Sequence, residues 1–311
     1  PGQELRGVQG LYHLQDLESM GRASSGLQRA VVVGGGLIGI EMTEMFHSRH
    51  IPVTMLVRED SFWSSVLPAE ESAMVNRHIR EHGIDLRLGT QLQHIEEDGT
   101  GGVGAAVTTD GERIACGFVG LTVGVSPNIG FLQQSAIETA RGVLVDNYLR
   151  TSVPDVYAIG DCAQLRQPDS GRKDIEAVWY TGRLMGQTVA HTICGFPKRY
   201  EPGIWFNSAK FFDIEYQVYG QIAARPPEGI RAVYWEHPKG KKSIRIQYNT
   251  TTQAVTGFNL MGIRYRHEVC EKWIATKTPV QVVLKNLSKA NFDPEFFEKY
   301  ENRLKMDIHG K

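Results

Sequence analysis

Residues 30 to 41, Ala-Val-Val-Val-Gly-Gly-Gly-Leu-Ile-Gly-Ile-Glu, restrict the fold more than any other stretch of the chain. Ala30 to Val33 are apolar and mostly β-branched, which suits a parallel strand buried on both faces. The glycines that follow are spaced G-x-G-x-x-G at positions 34, 36 and 39, and apolar helical spacing then begins at Leu37 and Ile38. In a strand-turn-helix context each glycine has its own reason. Gly34 permits the tight turn, Gly36 lets a pyrophosphate approach the backbone, and Gly39 lets the helix over residues 37–48 pack closely on its strand. The helix amino end, with free N–H groups and a positive dipole end, is where the phosphates of a dinucleotide sit. A glycine-rich turn with no ligand is the plain alternative.

Composition narrows the classes of partner. The chain has 311 residues, a net charge of −1 and 41% hydrophobic residues, ordinary values for a soluble protein of two or three domains. The basic runs Lys239–Lys242 and Arg264–His267 are short and read as solvated turns or helix faces, so no nucleic-acid partner is expected. No apolar run reaches the roughly 20 residues of a membrane span, and no membrane partner is expected either. No signal peptide is recognisable, although the chain begins at Pro1 and its start is expected to lie upstream. Cys116, Cys162, Cys194 and Cys270 form no CxxC or CxxxxC pair. That spacing argues for a reducing, cytoplasmic setting and against both a structural zinc site and a redox disulfide within these residues. No metal site is expected.

A second apolar strand, residues 52–57, completes a βαβ unit. The pattern then predicts a helix over 67–82 and a strand over 84–95. A hairpin at Asp110-Gly111 and a strand over 118–123 follow. Short strands are expected over 142–146 and 156–160, then a helix over 176–194 closed by Gly195 and Pro197. Beyond Trp205 the alternation predicts strands over 230–236, 243–248 and 254–260. Asp293-Pro294-Glu295 has the chemistry of a helix start.

Four segments now come into order: Pro1-Gly2-Gln3-Glu4-Leu5 with Leu14–Leu17, the glycine turn ending at Glu41, Val123-Gly-Val-Ser-Pro-Asn128, and Thr151-Ser-Val-Pro-Asp-Val-Tyr-Ala-Ile-Gly-Asp161. Together they resemble the two-dinucleotide-binding flavoproteins. These are the pyridine nucleotide-disulfide oxidoreductases and their NADH oxidase, ferredoxin reductase, nitrite reductase flavoprotein and apoptosis-inducing-factor-like relatives. The resemblance covers nearly all of residues 1 to 200. It implies an α/β fold in which a Rossmann-like NAD(P)-binding domain, residues 27–126, is inserted in a partial FAD-binding domain, residues 1–26 and 127–199. A carboxy-terminal α+β interface domain, residues 200–311, follows. In this family the chain opens with a further strand-GxGxxG segment for FAD, which this sequence lacks.

The cofactors implied are FAD and NAD(P)H. Hydride passes from the nicotinamide to the flavin, and the electrons go on to an acceptor that the sequence does not identify. The alternative is a nucleotide-sensing flavoprotein of the apoptosis-inducing-factor kind with slow turnover. The resemblance also implies a homodimer for the full-length protein. By the same resemblance Asp161 meets the ribityl chain of FAD while Gly160 lets it come close, and Trp179 stacks near the flavin or simply packs in the core. Glu41 lies near the nicotinamide, or stabilises the helix dipole with no cofactor. Gly124 belongs to the loop that passes the nicotinamide ribose. Arg58, just beyond the second strand, leans the choice toward NADP, while Glu59 and Asp60 beside it suit NAD. No catalytic acid or base is expected for this half-reaction, and His267 reads as a surface helix residue.

Overall fold

The computed structural model describes residues 1–292 and 300–309. β1 (Val8–Gln9) and α1 (Leu14–Ala23) lead into β2 (Ala30–Val33), α2 (Leu37–His47), β3 (Val53–Val57), α3 (Ala69–Glu81) and β4 (Asp85–Leu88). Then come β5 (Leu92–Glu97), β6 (Val103–Thr108), β7 (Arg113–Ala115) and β8 (Phe118–Leu121). The parallel sheet has the order β1-β8-β2-β3-β4, and β5-β6-β7 form a separate antiparallel meander.

Strand alternation explains why β2 is apolar throughout. Ala30 and Val32 enter a core with Ile40, Phe46 and Met74 of α2 and α3. Val31 and Val33 point the other way, onto Ile95, Ala106 and Ile114 of the meander. A parallel strand covered on both faces has no position left for a polar residue.

Two expected strands come out differently. The strand expected over 84–95 is broken into β4 and β5 at Gly89, whose φ is +64°. The Gly89 N–H donates to Glu59 O (2.9 Å) and the Thr90 N–H to Val57 O (3.0 Å), so the chain leaves the parallel sheet and enters the meander. The strand expected over 156–160 does not form. Tyr157 makes a single bridge to Arg150, and Gly160–Cys162 is a tight helical turn. Asp155 and Gly160, at φ +62° and +73°, interrupt extended backbone on both sides. The strands that do form here are β9 (Val143–Val145) and β10 (Ala163–Leu165), a parallel pair. They pack with α4 (Trp179–Ile193) around Leu149, Met185 and Val189. α4 starts later than expected because Glu176 is engaged by Arg172 and Val178 is extended (φ −139°).

The segment 1–26 adds β1 to the edge of the nucleotide sheet, with Val8 opposite Val119, and buries Met20 in the same core as β2.

The remaining chain forms an antiparallel sheet from β11 (Phe206–Phe211), β12 (Ile214–Gly220), β13 (Ile230–Glu236), β14 (Ser243–Asn249) and β15 (Val255–Met261), in the order β11-β12-β15-β14-β13. The residues after β15, without an interpretable motif, supply α5 (His267–Ala275), α6 (Val280–Lys285) and α7 (Glu301–His309). Helix residues Cys270, Val283 and Leu304 complete a core with Phe258 and Tyr265. His267 opens α5 and is half-buried against Phe206 and Tyr219 rather than free on the surface. The helix start expected at Asp293-Pro294-Glu295 lies outside the described residues. β11 and β12 also share a core with α3, where Phe211 and Tyr216 meet Phe62 and Trp63. Among the described residues no helix is long and apolar enough to cross a membrane.

Candidate nucleotide site

A cleft of about 550 Å³ opens at the carboxyl ends of β2, β3 and β8. That end of a parallel sheet is where ligands bind in doubly wound folds, and the volume lies within the range of small-molecule sites. Gly34, Gly36, Arg58 and Gly124 all line it. Leu37, Ile38 and Gly39 form the first turn of α2 behind it.

The three glycines are distinguished by what a side chain would meet. At Gly34, φ is +126° and a Cβ would lie 2.5 Å from Thr122 O. At Gly39 a Cβ would lie 2.5 Å from Gly34 O and 2.9 Å from Thr122 Oγ1. Thr122 is itself fixed, its hydroxyl donating to Val33 O at 2.8 Å. Both glycines are therefore required by the chain's own packing. Gly36 is not. Its φ of −118° suits any residue, and a Cβ there would meet nothing within 4 Å. As the N-cap of α2 it also supplies no capping side chain, so the first-turn amides have no side-chain acceptor from it. The residues present fit a dinucleotide pyrophosphate: an open cradle beside unsatisfied donors at a helix amino end.

Arg58 is exposed and pairs with Glu59 (Nη2 to Oε1, 2.8 Å), both lining the cleft. Gly124, at φ +123°, has nothing within 4 Å of a built Cβ. Glu41 lies on α2 outside the cleft lining. Although the residue is exposed, partial burial of its carboxyl and the nearby Glu44 charge raise it above the usual carboxylate range.

Gly160, Asp161 and Trp179 do not join the cleft; they lie together at the amino end of α4. Gly160 has φ +73° with no atom near its Cβ position, and its N–H points at Met185 Sδ (3.3 Å). Asp161 is exposed. Trp179 is 67% exposed, with Arg183 over its ring at 5.4 Å, so the packed-core reading of this tryptophan does not hold. An open glycine, an exposed carboxylate that can accept from hydroxyls and a largely exposed aromatic ring fit a flavin and its polyol chain.

Sequence reasoning missed the far wall of the cleft: Gln3, Trp63, Ser64, Ser65 and residues 90 to 95. Trp63 has φ +50° and abuts Phe211 and Tyr216 edge-on. The available signal was positional, since Trp63-Ser-Ser65 follows the carboxyl end of β3, where loops of this fold reach the ligand.

The sheet order, the glycine cradle and the cleft define a dinucleotide-binding α/β protein. Residues 2–190 match the pyridine nucleotide-disulphide oxidoreductase family, and the chain belongs to it. It is 30% identical over 233 residues to the ferredoxin reductase subunit of the 5,5'-dehydrodivanillate O-demethylase of Sphingobium sp., a match covering 74% of this chain and 56% of that protein. It is 36% identical over 138 residues to the nitric oxide reductase FlRd-NAD(+) reductase of Salmonella schwarzengrund, covering 44% of this chain and 36% of the relative. The chain thus spans about half or less of the curated relatives it matches. Its fold is similar to that of a NAD-dependent persulfide reductase from A. fulgidus (TM-score 0.81, 22% identity, 99% of this chain and 61% of that one). It also resembles a ferredoxin reductase from Rhodopseudomonas palustris (TM-score 0.74, 23% identity, 84% and 63%).

Proposed function

We propose that this chain is the NAD(P)H-binding and carboxy-terminal portion of an FAD-dependent NAD(P)H oxidoreductase. The observation that carries the reading is Gly36, a glycine that neither backbone conformation nor packing explains, at the mouth of the cleft. In this reading Gly34 and Gly39 shape the turn, Gly36 with the amides of Leu37 and Ile38 binds the pyrophosphate, and Gly124 passes the ribose. The family resemblance, rather than the cleft lining, gives Glu41 the nicotinamide end. Gly160, Asp161 and Trp179 hold the flavin side. Bound together, the two cofactors supply hydride transfer, and the chain's part is to align them and exclude water. The division into 1–26 with 127–199, 27–126 and 200–311 belongs to the same reading, with residues 1–26 bridging the first two units.

Cofactor choice turns on Arg58. Its guanidinium already has the Glu59 carboxylate as a partner, which moves the reading from NADP toward NAD. The names of the relatives support an electron-carrier protein as acceptor. The absence of paired cysteines supports a cytoplasmic setting, and the family resemblance supports a homodimer in the full-length protein.

Calorimetric titration of NADH and NADPH into the chain tests the reading. Saturable binding of NADH, with NADPH weaker, is expected. No binding of either dinucleotide would overturn it.

A further inference from the structure

We propose that His78, His82 and Asp213 form a divalent-cation site, suited to zinc, that clasps α3 to the β11–β12 turn. His78 and His82 are one helical turn apart at the end of α3, on one face. Asp213 comes from the two-residue turn Phe212-Asp213 of the carboxy-terminal sheet. One ligand atom from each of the three lies within 4.8 Å of the other two. His78 Nε2 is 2.5 Å from Asp213 Oδ1, and His82 Nε2 is 3.8 Å from the same oxygen.

The surroundings aim these atoms inward. His82 Nδ1 lies 2.9 Å from the His78 carbonyl oxygen. That contact takes the ring proton and leaves the Nε2 lone pair for a metal. The His82 ring stacks on Phe212 at 4.2 Å and 16°. The Phe212 N–H donates to Glu44 Oε1 (2.6 Å), and Lys241 Nζ holds Asp213 Oδ2 (3.1 Å), leaving Oδ1 toward the histidines.

His78 is the second, independent observation. Its side chain is 1% exposed; Nε2 abuts Asp213 Oδ1 without the direction of a good hydrogen bond, and Nδ1 has no hydrogen-bond partner among the described residues. A buried polar group in that condition is costly, and a bound cation relieves it. Glu81 Oε2 lies 3.7 Å from His78 Nδ1, beyond hydrogen-bond reach.

Two imidazole nitrogens, one carboxylate oxygen and a water make a tetrahedral zinc set, with bonds of about 2.0–2.2 Å. To accept the ion, the Asp213 carboxylate must swing away from His78. Its side chain is 58% exposed on a turn, which leaves it room to do so.

The test is titration of ZnCl2 into the chelator-treated chain by calorimetry, with Co2+ absorption as a second readout. One equivalent of Zn2+ and the ligand-field bands of tetrahedral Co2+ are expected. H82F, which keeps the stack on Phe212, and D213N should each lose the bands and weaken Zn2+ binding more than tenfold with unchanged circular dichroism. His191→Ala, an exposed histidine on α4, should change nothing. No stoichiometric uptake, or uptake that survives both H82F and D213N, overturns the proposal.

Discussion

The nucleotide cleft and the seam between α3 and β14 are both polar features of a largely apolar interior, and they are built in opposite ways. The glycine wall of the cleft is made of residues adjacent in sequence and is left open, with glycines where side chains would intrude. The seam joins residues far apart in sequence and is closed. Arg245, 6% exposed at its side chain, makes two hydrogen bonds to the fully buried Glu71 (2.6 and 2.9 Å) and one to Glu70 (2.7 Å). Asn259 Nδ2 donates to Glu71 Oε1 at 3.2 Å, and Tyr234 lies under the guanidinium at 4.6 Å. Burial pushes the Glu71 carboxyl up, and Arg245 opposes it. The difference separates two uses of polarity. In the seam the charged groups satisfy one another and fix how two units pack, whereas in the cleft the donors are left over.

Breaking the seam should cost most. Arg245→Met strands a buried carboxylate, and a loss of about 3–5 kcal/mol is expected in denaturant unfolding. A loss below about 1 kcal/mol would show that the pair does not hold the units together. Next, Gly39→Ala places a methyl against Gly34 O, and overpacking of this kind costs about 1–3 kcal/mol. The same measurement on this variant checks that Gly39 serves the chain's own packing.

The smallest effect concerns Glu41. Because its folded value is raised, the native state holds its proton more tightly than the unfolded chain. Stability from this group is therefore greatest below the unfolded value and falls as pH rises through the raised one. E41Q should match the parent Tm in acid and equal or exceed it at neutral pH. A lower Tm at neutral pH would show that the charged form is stabilised instead.

The contrast also explains what could be read in advance. β2, the glycine turn, α2 and β3 were legible because hydrophobic period and turn chemistry are local signals. The breaks at Gly89 and Gly160 were not, because each depends on hydrogen bonds or neighbours outside the segment. The cleft's glycine wall was legible and its Trp63 wall was not, since that wall is recruited from other loops by the sheet. The seam left no trace: Glu71 looks like a first-turn helix acid and Arg245 like a strand-surface residue. The His78–His82 pair was overlooked for a related reason. Its spacing is local, but its third member comes from the β11–β12 turn, which no local pattern connects to α3.

The central claim is that Gly36 is a glycine for the sake of a ligand, and Gly36→Ser tests it most directly. Serine is a good N-cap and suits φ −118°, so the fold should be as stable as before or slightly more so, by a few tenths of a kcal/mol. Its hydroxymethyl would fill the cradle and occupy the α2 amides. NADH titration with Tm measured in parallel should show affinity falling at least tenfold at an undiminished Tm. Undiminished NADH binding by the serine variant would contradict the account.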